Sequence, residues 1–265
     1  MNMDKKEIIE KIKAKKAFIS DMDGVLYHGN RLLPGVPDFV EWLKREGKKF
    51  LFLTNSSERT PRELKDKMHR LGIDVDENVF YTSALATANF LAWQKPGGTA
   101  FVIGEAGLIH ALYSAGYSIN NVNPDYVVIG ETRSYNFEKI EQAINLVLKG
   151  ARLIGTNPDV TGPAESGIVP ATRALVAPVE LATSRTAYYV GKPNPLMMRI
   201  ALRKLGANRE DTIIIGDRMD TDIIAGIESE IETLLVLSGI TDLKTAGKFP
   251  YRPSYILEGV SELVS

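Results

Sequence analysis

Two aspartates separated by one residue, Asp21 and Asp23, follow the short apolar run Ala17 to Ile19, and Gly24 comes directly after them. Paired like charges at the mouth of a buried strand disfavour joint ionisation. The arrangement becomes favourable when a divalent cation lies between them and a glycine lets backbone amides approach an anion. An Asp-rich turn would account for this stretch alone. An EF-hand would not, because Val25 and Leu26 fall where that loop needs oxygen ligands. Three more apolar runs end in polar groups of the same kind: Thr54 and Asn55, Asp217, and Lys192 in the loop after Val190. The combined set is three carboxylates, a hydroxyl, an amide and an ammonium. Hard oxygen ligands suit Mg²⁺, whereas zinc prefers histidine and cysteine. The three histidines, His28, His69 and His110, do not pair at metal-ligand spacing, and only His28 follows the first strand end.

A hydroxyl, an ammonium and a helix N-terminus around such an ion make a site for a phosphoryl group. The chain has no GxxxxGK[ST] loop and no GxGxxG after a strand, which leaves nucleoside triphosphates and dinucleotides without support, and no GxSxG, which counts against an esterase. A carboxylate beside the metal is the best nucleophile in the set. Covalent catalysis through an aspartyl phosphate is therefore the expected mechanism.

The elements that must position these groups follow from periodicity. Short apolar runs at 17–20, 49–54, 79–82, 99–103, 125–130, 152–156, 187–190, 212–217 and 233–237 predict strands. Helical spacing is present in 4–16, 34–47, 83–93, 106–115, 137–149 and 194–206, and Thr60-Pro61-Arg62-Glu63 predicts a capped helix start. The segment 157–175 predicts a loop, with a helix over 176–184, another helix from about Thr221, and a last strand and helix over 254–264. Alternating β and α with continuously apolar strands predicts a parallel sheet covered on both faces. In such sheets ligands bind beyond the carboxyl ends of the strands, where Asp21, Asp23, Thr54, Asn55 and Asp217 fall. Gln94-Lys-Pro-Gly-Gly98 interrupts the alternation, which then restarts as a second unit.

At 265 residues, 44% hydrophobic and 25% charged, the chain has the composition of a globular protein of one large or two ordinary domains. Its net charge of −1 gives no reason to expect a nucleic-acid polymer or a membrane as partner. The absence of cysteine rules out disulfides and thiolate metal sites and agrees with a cytoplasmic location. No run has the length of a signal peptide's apolar region or of a bilayer span.

Four stretches, DMDGV (21–25), LTNSS (53–57), GKPNP (191–195) and GDRMDTD (216–222), resemble in order the four motifs of the haloacid dehalogenase superfamily. Phe80-Tyr-Thr-Ser-Ala84, Asn123 to Asn136, Gly155-Thr-Asn-Pro-Asp159 and Val236-Leu-Ser-Gly239 extend the resemblance to its NagD branch over nearly the whole chain. The resemblance implies an α/β fold with a Rossmann-like parallel-sheet core and a large inserted α/β cap. The core would take 1–84 and 187–265, and the cap, which selects the substrate, 85–186. It also implies Mg²⁺-dependent hydrolysis of small phosphomonoesters, with nucleoside 5′-monophosphates such as UMP foremost.

Transferred residue by residue, Asp21 is the nucleophile and a metal ligand. Asp23 protonates the leaving alkoxide, then deprotonates the attacking water, while its main-chain carbonyl meets the metal. Thr54 and the amides of Gly24 and Asn55 hold phosphoryl oxygens, Lys192 neutralises charge, Asp217 ligates the metal and Asp222 supports its water shell. A carboxylate at position 23 fits a phosphatase, since the superfamily's dehalogenases lack that acid. In the cap, Asn157 and Asp159 are candidates for reading a base or sugar hydroxyl, and Arg173 stands for a change in substrate preference. The alternatives are a phosphatase of a sugar phosphate, phosphoglycolate or pyridoxal phosphate, and a non-catalytic sensor of a phosphorylated metabolite. The expected partner is a small phosphorylated metabolite, and the expected assembly a monomer or homodimer.

Overall fold

The apolar runs become strands of two parallel sheets in a computed structural model that describes residues 4–163 and 167–264. In chain order the strands, with two antiparallel pairs outside those sheets, are β1 (Ala17–Ser20), the hairpin β2 (Tyr27–His28) and β3 (Arg31–Leu32), β4 (Lys49–Thr54) and β5 (Phe80–Thr82). Next come β6 (Thr99–Ile103), β7 (Ser118–Ile119), β8 (Tyr126–Ile129), β9 (Arg152–Gly155), the hairpin β10 (Thr161–Pro163) and β11 (Ile168–Pro170), and β12 (Tyr188–Tyr189). The chain closes with β13 (Thr212–Gly216), β14 (Glu232–Val236) and β15 (Tyr255–Leu257). It divides into two compact units. The first comprises the described residues up to Thr54, Lys65–Tyr81 and the chain from Pro195 onward; the second comprises Asn55–Leu64 and Thr82–Asn194. The second unit takes in the expected insertion, 85–186, together with 55–64, 82–84 and 187–194, which the expectation gave to the core.

In the first unit the strands run in the order β15-β14-β13-β1-β4-β5. Every residue of β1 and β13 is buried, which explains why both read as unbroken apolar runs. The helix Val36–Arg45 buries Val36, Phe39, Val40, Trp42 and Leu43 along one stripe, and Phe18 of β1 meets Trp42 edge-on with ring centroids 5.4 Å apart. Burial of each such side chain contributes about 1.5–3 kcal/mol. Parallel register sets Ser20 level with Ile215 of β13 and Phe52 of β4. Asp21 and Asp217, just past β1 and β13, and Thr54, the last residue of β4, therefore lie along one edge of the sheet.

The second unit has its own parallel sheet, in the order β12-β9-β8-β6-β7. Its core joins Phe101 and Ile103, Val127 and Ile129, and Leu153 to Ala143, Leu146 and Val147 of one helix and Leu175, Val176 and Val179 of another. The capping box forms as expected: Thr60 N–H donates to Glu63 Oε2 at 2.8 Å and Glu63 N–H to Thr60 Oγ1 at 3.2 Å. The Thr60 backbone donor holds the Glu63 carboxyl below its ordinary value.

Three expectations are corrected. The segment 157–175 is not all loop, since it contains the β10–β11 hairpin, two strands too short to show alternation. The helix expected over 176–184 runs from Thr172 to Thr183 and carries Pro178 in its interior. The helix expected from Thr221 begins instead as a wide π turn over Met219–Ile223 and becomes α-helical at Ile224. Among the described residues no helix is long and apolar enough to cross a membrane.

Candidate active site

The carboxyl edge of the first sheet brings three of the expected aspartates together. Carboxylate oxygens of Asp21, Asp217 and Asp222 all lie within 4.8 Å of one another. Asp21 follows β1, its N–H donating to Ile215 O of β13 at 2.8 Å. Asp217 follows β13 and is 2% exposed, and Asp222, on the π turn, is fully buried. Such wide turns recur at functional sites because they redirect one side chain without ending the helix. Here the turn is tied back by Arg218 N–H, which donates to Asp222 Oδ2 at 3.1 Å.

Asp217 sits in a cradle of small residues. A Cβ on Gly24 would lie 2.4 Å from its Oδ2, and one on Gly239 2.0 Å from the same atom. Gly24 also has φ +81°, a left-handed conformation that glycine adopts without steric cost. The loop after β14 completes the enclosure: Ile240 N–H donates to Asp217 Oδ2 at 2.8 Å, and Ser238 Oγ–H donates to Gly24 O at 2.8 Å. Three converging carboxylates, two of them buried, repel one another unless a cation sits among them. An all-oxygen donor set at this spacing fits a hard divalent ion.

Asp23 does not belong to that cluster of side chains. Its carboxylate is 46% exposed and lies 3.5 Å from His28 Nδ1. The other ring nitrogen, Nε2, donates to Ser238 O at 2.9 Å. Thr54 ends β4 half-buried. The backbone role expected of Gly24 is corrected, because its N–H donates to Tyr27 O at 2.9 Å and is committed within the loop. The glycine is needed there for its missing side chain.

In the second unit the expected residues form a different construction. Lys192 is 2% exposed, and the Asn55 side chain brackets its backbone: Lys192 N–H donates to Asn55 Oδ1 at 2.8 Å, and Asn55 Nδ2 donates to Lys192 O at 3.0 Å. Asn55 Nδ2 also donates to Asp159 Oδ2 at 2.9 Å. Asn157 is fully buried, and both ends of its amide are engaged inside the unit. Its Nδ2 donates to Asn55 O at 2.7 Å and to Glu131 Oε1 at 2.6 Å, while its Oδ1 accepts from Asp159 N–H at 3.1 Å. The expectation that Asn157 reads a substrate is therefore corrected: a side chain enclosed in this way holds the chain around Asn55, and Asp159 is joined to the same residue. Arg173 is exposed on the first turn of the helix Thr172–Thr183.

Sequence reasoning gave no role to Glu131, Ser57 or Ser238. A usable signal existed for Glu131, which stands two residues beyond the apolar strand β8, as Asp217 stands just beyond β13.

The sheet order and the carboxylate cluster define a class, and comparison with known proteins agrees with it. A family model described as haloacid dehalogenase-like hydrolase matches residues 18–118, and a second, HAD-hydrolase-like, matches 189–263. The chain belongs to the haloacid dehalogenase-like hydrolases. It is 47% identical over 247 residues to dihydroxyacetone phosphatase of Corynebacterium glutamicum, covering 93% of this chain and 90% of the relative. It is 46% identical over 248 residues to the ribonucleotide monophosphatase NagD of Escherichia coli K12, covering 94% and 98% respectively. The solved structure of NagD from that strain superposes with a TM-score of 0.89 at 45% identity, over 94% of this chain and 98% of its own.

Proposed function

We propose that the protein is a Mg²⁺-dependent phosphomonoester hydrolase that acts in the cytoplasm on a small phosphorylated metabolite, a nucleoside 5′-monophosphate such as UMP foremost, through an aspartyl phosphate on Asp21. The observation that carries this reading is the convergence of the Asp21, Asp217 and Asp222 carboxylates at the carboxyl edge of the parallel sheet. Those three side chains, with the main-chain carbonyl of Asp23, would hold the metal. When bound, the ion offsets charge on the phosphoryl oxygens and on the nucleophile.

The chain's own groups do the rest. Asp21 attacks phosphorus as the P–O bond to the alcohol breaks, and the Asp23 carboxyl gives its proton to the departing oxygen. A water then attacks phosphorus, the bond to Asp21 Oδ breaks, and Asp23 takes the water's proton, which restores both residues. Thr54 and Lys192 are assigned to the phosphoryl oxygens, and the second unit to substrate selection as a cap. Phosphoryl transfer asks little more of a protein than in-line placement and balanced charge.

A second substrate class, a small sugar or triose phosphate, is favoured by the likeness to a protein named dihydroxyacetone phosphatase. A phosphate-release screen over nucleotides, sugar phosphates and an aryl phosphate, with Mg²⁺ or with a chelator, separates the readings. Hydrolysis that needs the ion and is lost in Asp21→Asn, with the circular dichroism spectrum unchanged, is expected. Binding without turnover would identify a sensor instead.

A further inference from the structure

Glu131 is a half-buried residue with a carboxylate for which the proposed chemistry has no use. Its Oε2 accepts from Ser57 N–H at 2.9 Å and Ser57 Oγ–H at 2.5 Å, and its Oε1 accepts from Asn157 Nδ2 at 2.6 Å. The direction of the Ser57 hydroxyl is fixed by its other contacts, because Glu131 N–H at 3.2 Å and Thr156 Oγ1 at 3.3 Å both donate to it. All three groups on the carboxylate are therefore donors. Burial pushes the carboxyl's pKa up, the Ser57 and Asn157 donors pull it back, and none of these partners can accept a carboxyl proton.

The network leads from Glu131 to Lys192 without a gap. Asn157 Nδ2 bridges Glu131 Oε1 and Asn55 O, and the Asn55 side chain grips both backbone groups of Lys192. Ser83 Oγ–H donates to the same Asn55 carbonyl at 2.5 Å. The packing leaves no slack. A Cβ on Gly130 would lie 2.5 Å from Ser57 Oγ, and one on Gly191 2.7 Å from Asn55 Oδ1.

We propose that Glu131 is a positioning residue: by fixing Ser57 and Asn157 it sets the Asn55 amide that holds the backbone of Lys192, and so sets where that lysine presents its charge. This rests on the phosphate-binding role that the proposed function gives Lys192.

The test is a double-mutant cycle with an aryl phosphate and Mg²⁺. Glu131→Gln keeps the shape but turns an NH₂ group against Ser57 or against Asn157, a donor on a donor in either orientation. At a temperature where circular dichroism shows every variant folded, Glu131→Gln is expected to lower kcat at least tenfold. In a Lys192→Met background the same change should alter the residual kcat by less than twofold. Equal fold losses in both backgrounds would overturn the proposal, because an effect on general packing does not depend on the lysine. Near-normal turnover in Lys192→Met alone would remove the lysine's assigned role, and the proposal with it. If Glu131→Gln does not fold, Ser57→Ala replaces it in the cycle. That variant leaves the carboxylate two N–H donors, and a loss of several-fold confined to the Lys192 background is expected.

Discussion

Asp23 differs from the other carboxylates in its surroundings, and that difference bears on the acid–base role proposed for it. Asp217 and Asp222 are buried and tied to backbone donors, whereas the Asp23 carboxylate is 46% exposed beside His28. A group that must give up one proton and collect another in each turnover benefits from contact with solvent; a metal ligand does not. Asp23→Asn is expected to slow hydrolysis of alkyl phosphates by about 10²–10⁴, the usual worth of a general acid–base. Aryl phosphates, whose leaving group departs without a proton, should lose much less in the first half-reaction. Values of kcat/KM on a paired alkyl and aryl substrate, which report the first half-reaction and not the later attack of water, check this, and equal losses there would take the acid role away from Asp23. The placement of Asp21, Asp217 and Thr54 at strand ends was legible in the sequence, because each closes or follows an apolar run whose strand character fixes where the next side chain emerges. Asn157 was misjudged because sequence shows that an amide lies in a loop but not whether it faces out or in. Its burial is set by Asn55 and Glu131, which are far away in the chain.

At the scale of elements, the loop after β14 does the most with the least visible signal. Val236-Leu-Ser-Gly239 resembled a family signature but offered no chemistry of its own. In the fold it supplies the Ser238 carbonyl to His28 and the Ser238 hydroxyl to Gly24, and it presses Gly239 against Asp217. None of this was legible, because the contacts join segments that sequence reasoning treated separately. Gly239→Ala forces a methyl to within 2.0 Å of Asp217 Oδ2, so the carboxylate or the loop must move. The expected result is at least a tenfold rise in the Mg²⁺ concentration needed for half-maximal activity. Gly247→Ala is the control: its nearest neighbours to the added Cβ stand at 3.5 Å, an ordinary contact, and activity should not change. A Mg²⁺ titration of the three proteins decides it, and an unchanged requirement in Gly239→Ala would mean that Asp217 can shift without consequence.

For the whole molecule, the sequence announced two α/β units through a second run of strands after Gly97-Gly98, and the structure divides the chain into two. It did not announce that Asn55–Leu64 belongs with the second, since periodicity assigns elements and not their allegiance. Ser57 is held by Glu131, and Gly107 N–H donates to Glu58 O at 2.9 Å, which draws that stretch in. Stability should carry the mark of the metal. The Asp21, Asp217 and Asp222 carboxylates repel one another in the absence of an ion, and an ion that binds only the folded state adds about 2.7 kcal/mol at a hundredfold excess over its dissociation constant. For a chain of this size about 1 kcal/mol moves the unfolding midpoint by about 2–4 °C, so Mg²⁺ should raise it by several degrees. Asp217→Asn removes one charge from the cluster. In a chelator its midpoint should equal or exceed that of the natural protein, and in Mg²⁺ it should fall below, so the order of the two proteins reverses. Calcium should also raise the natural protein's midpoint while inhibiting turnover, because its larger and looser coordination displaces the nucleophile. Thermal unfolding of both proteins under the three conditions provides the check, and an equal Mg²⁺ shift in Asp217→Asn would place the ion elsewhere.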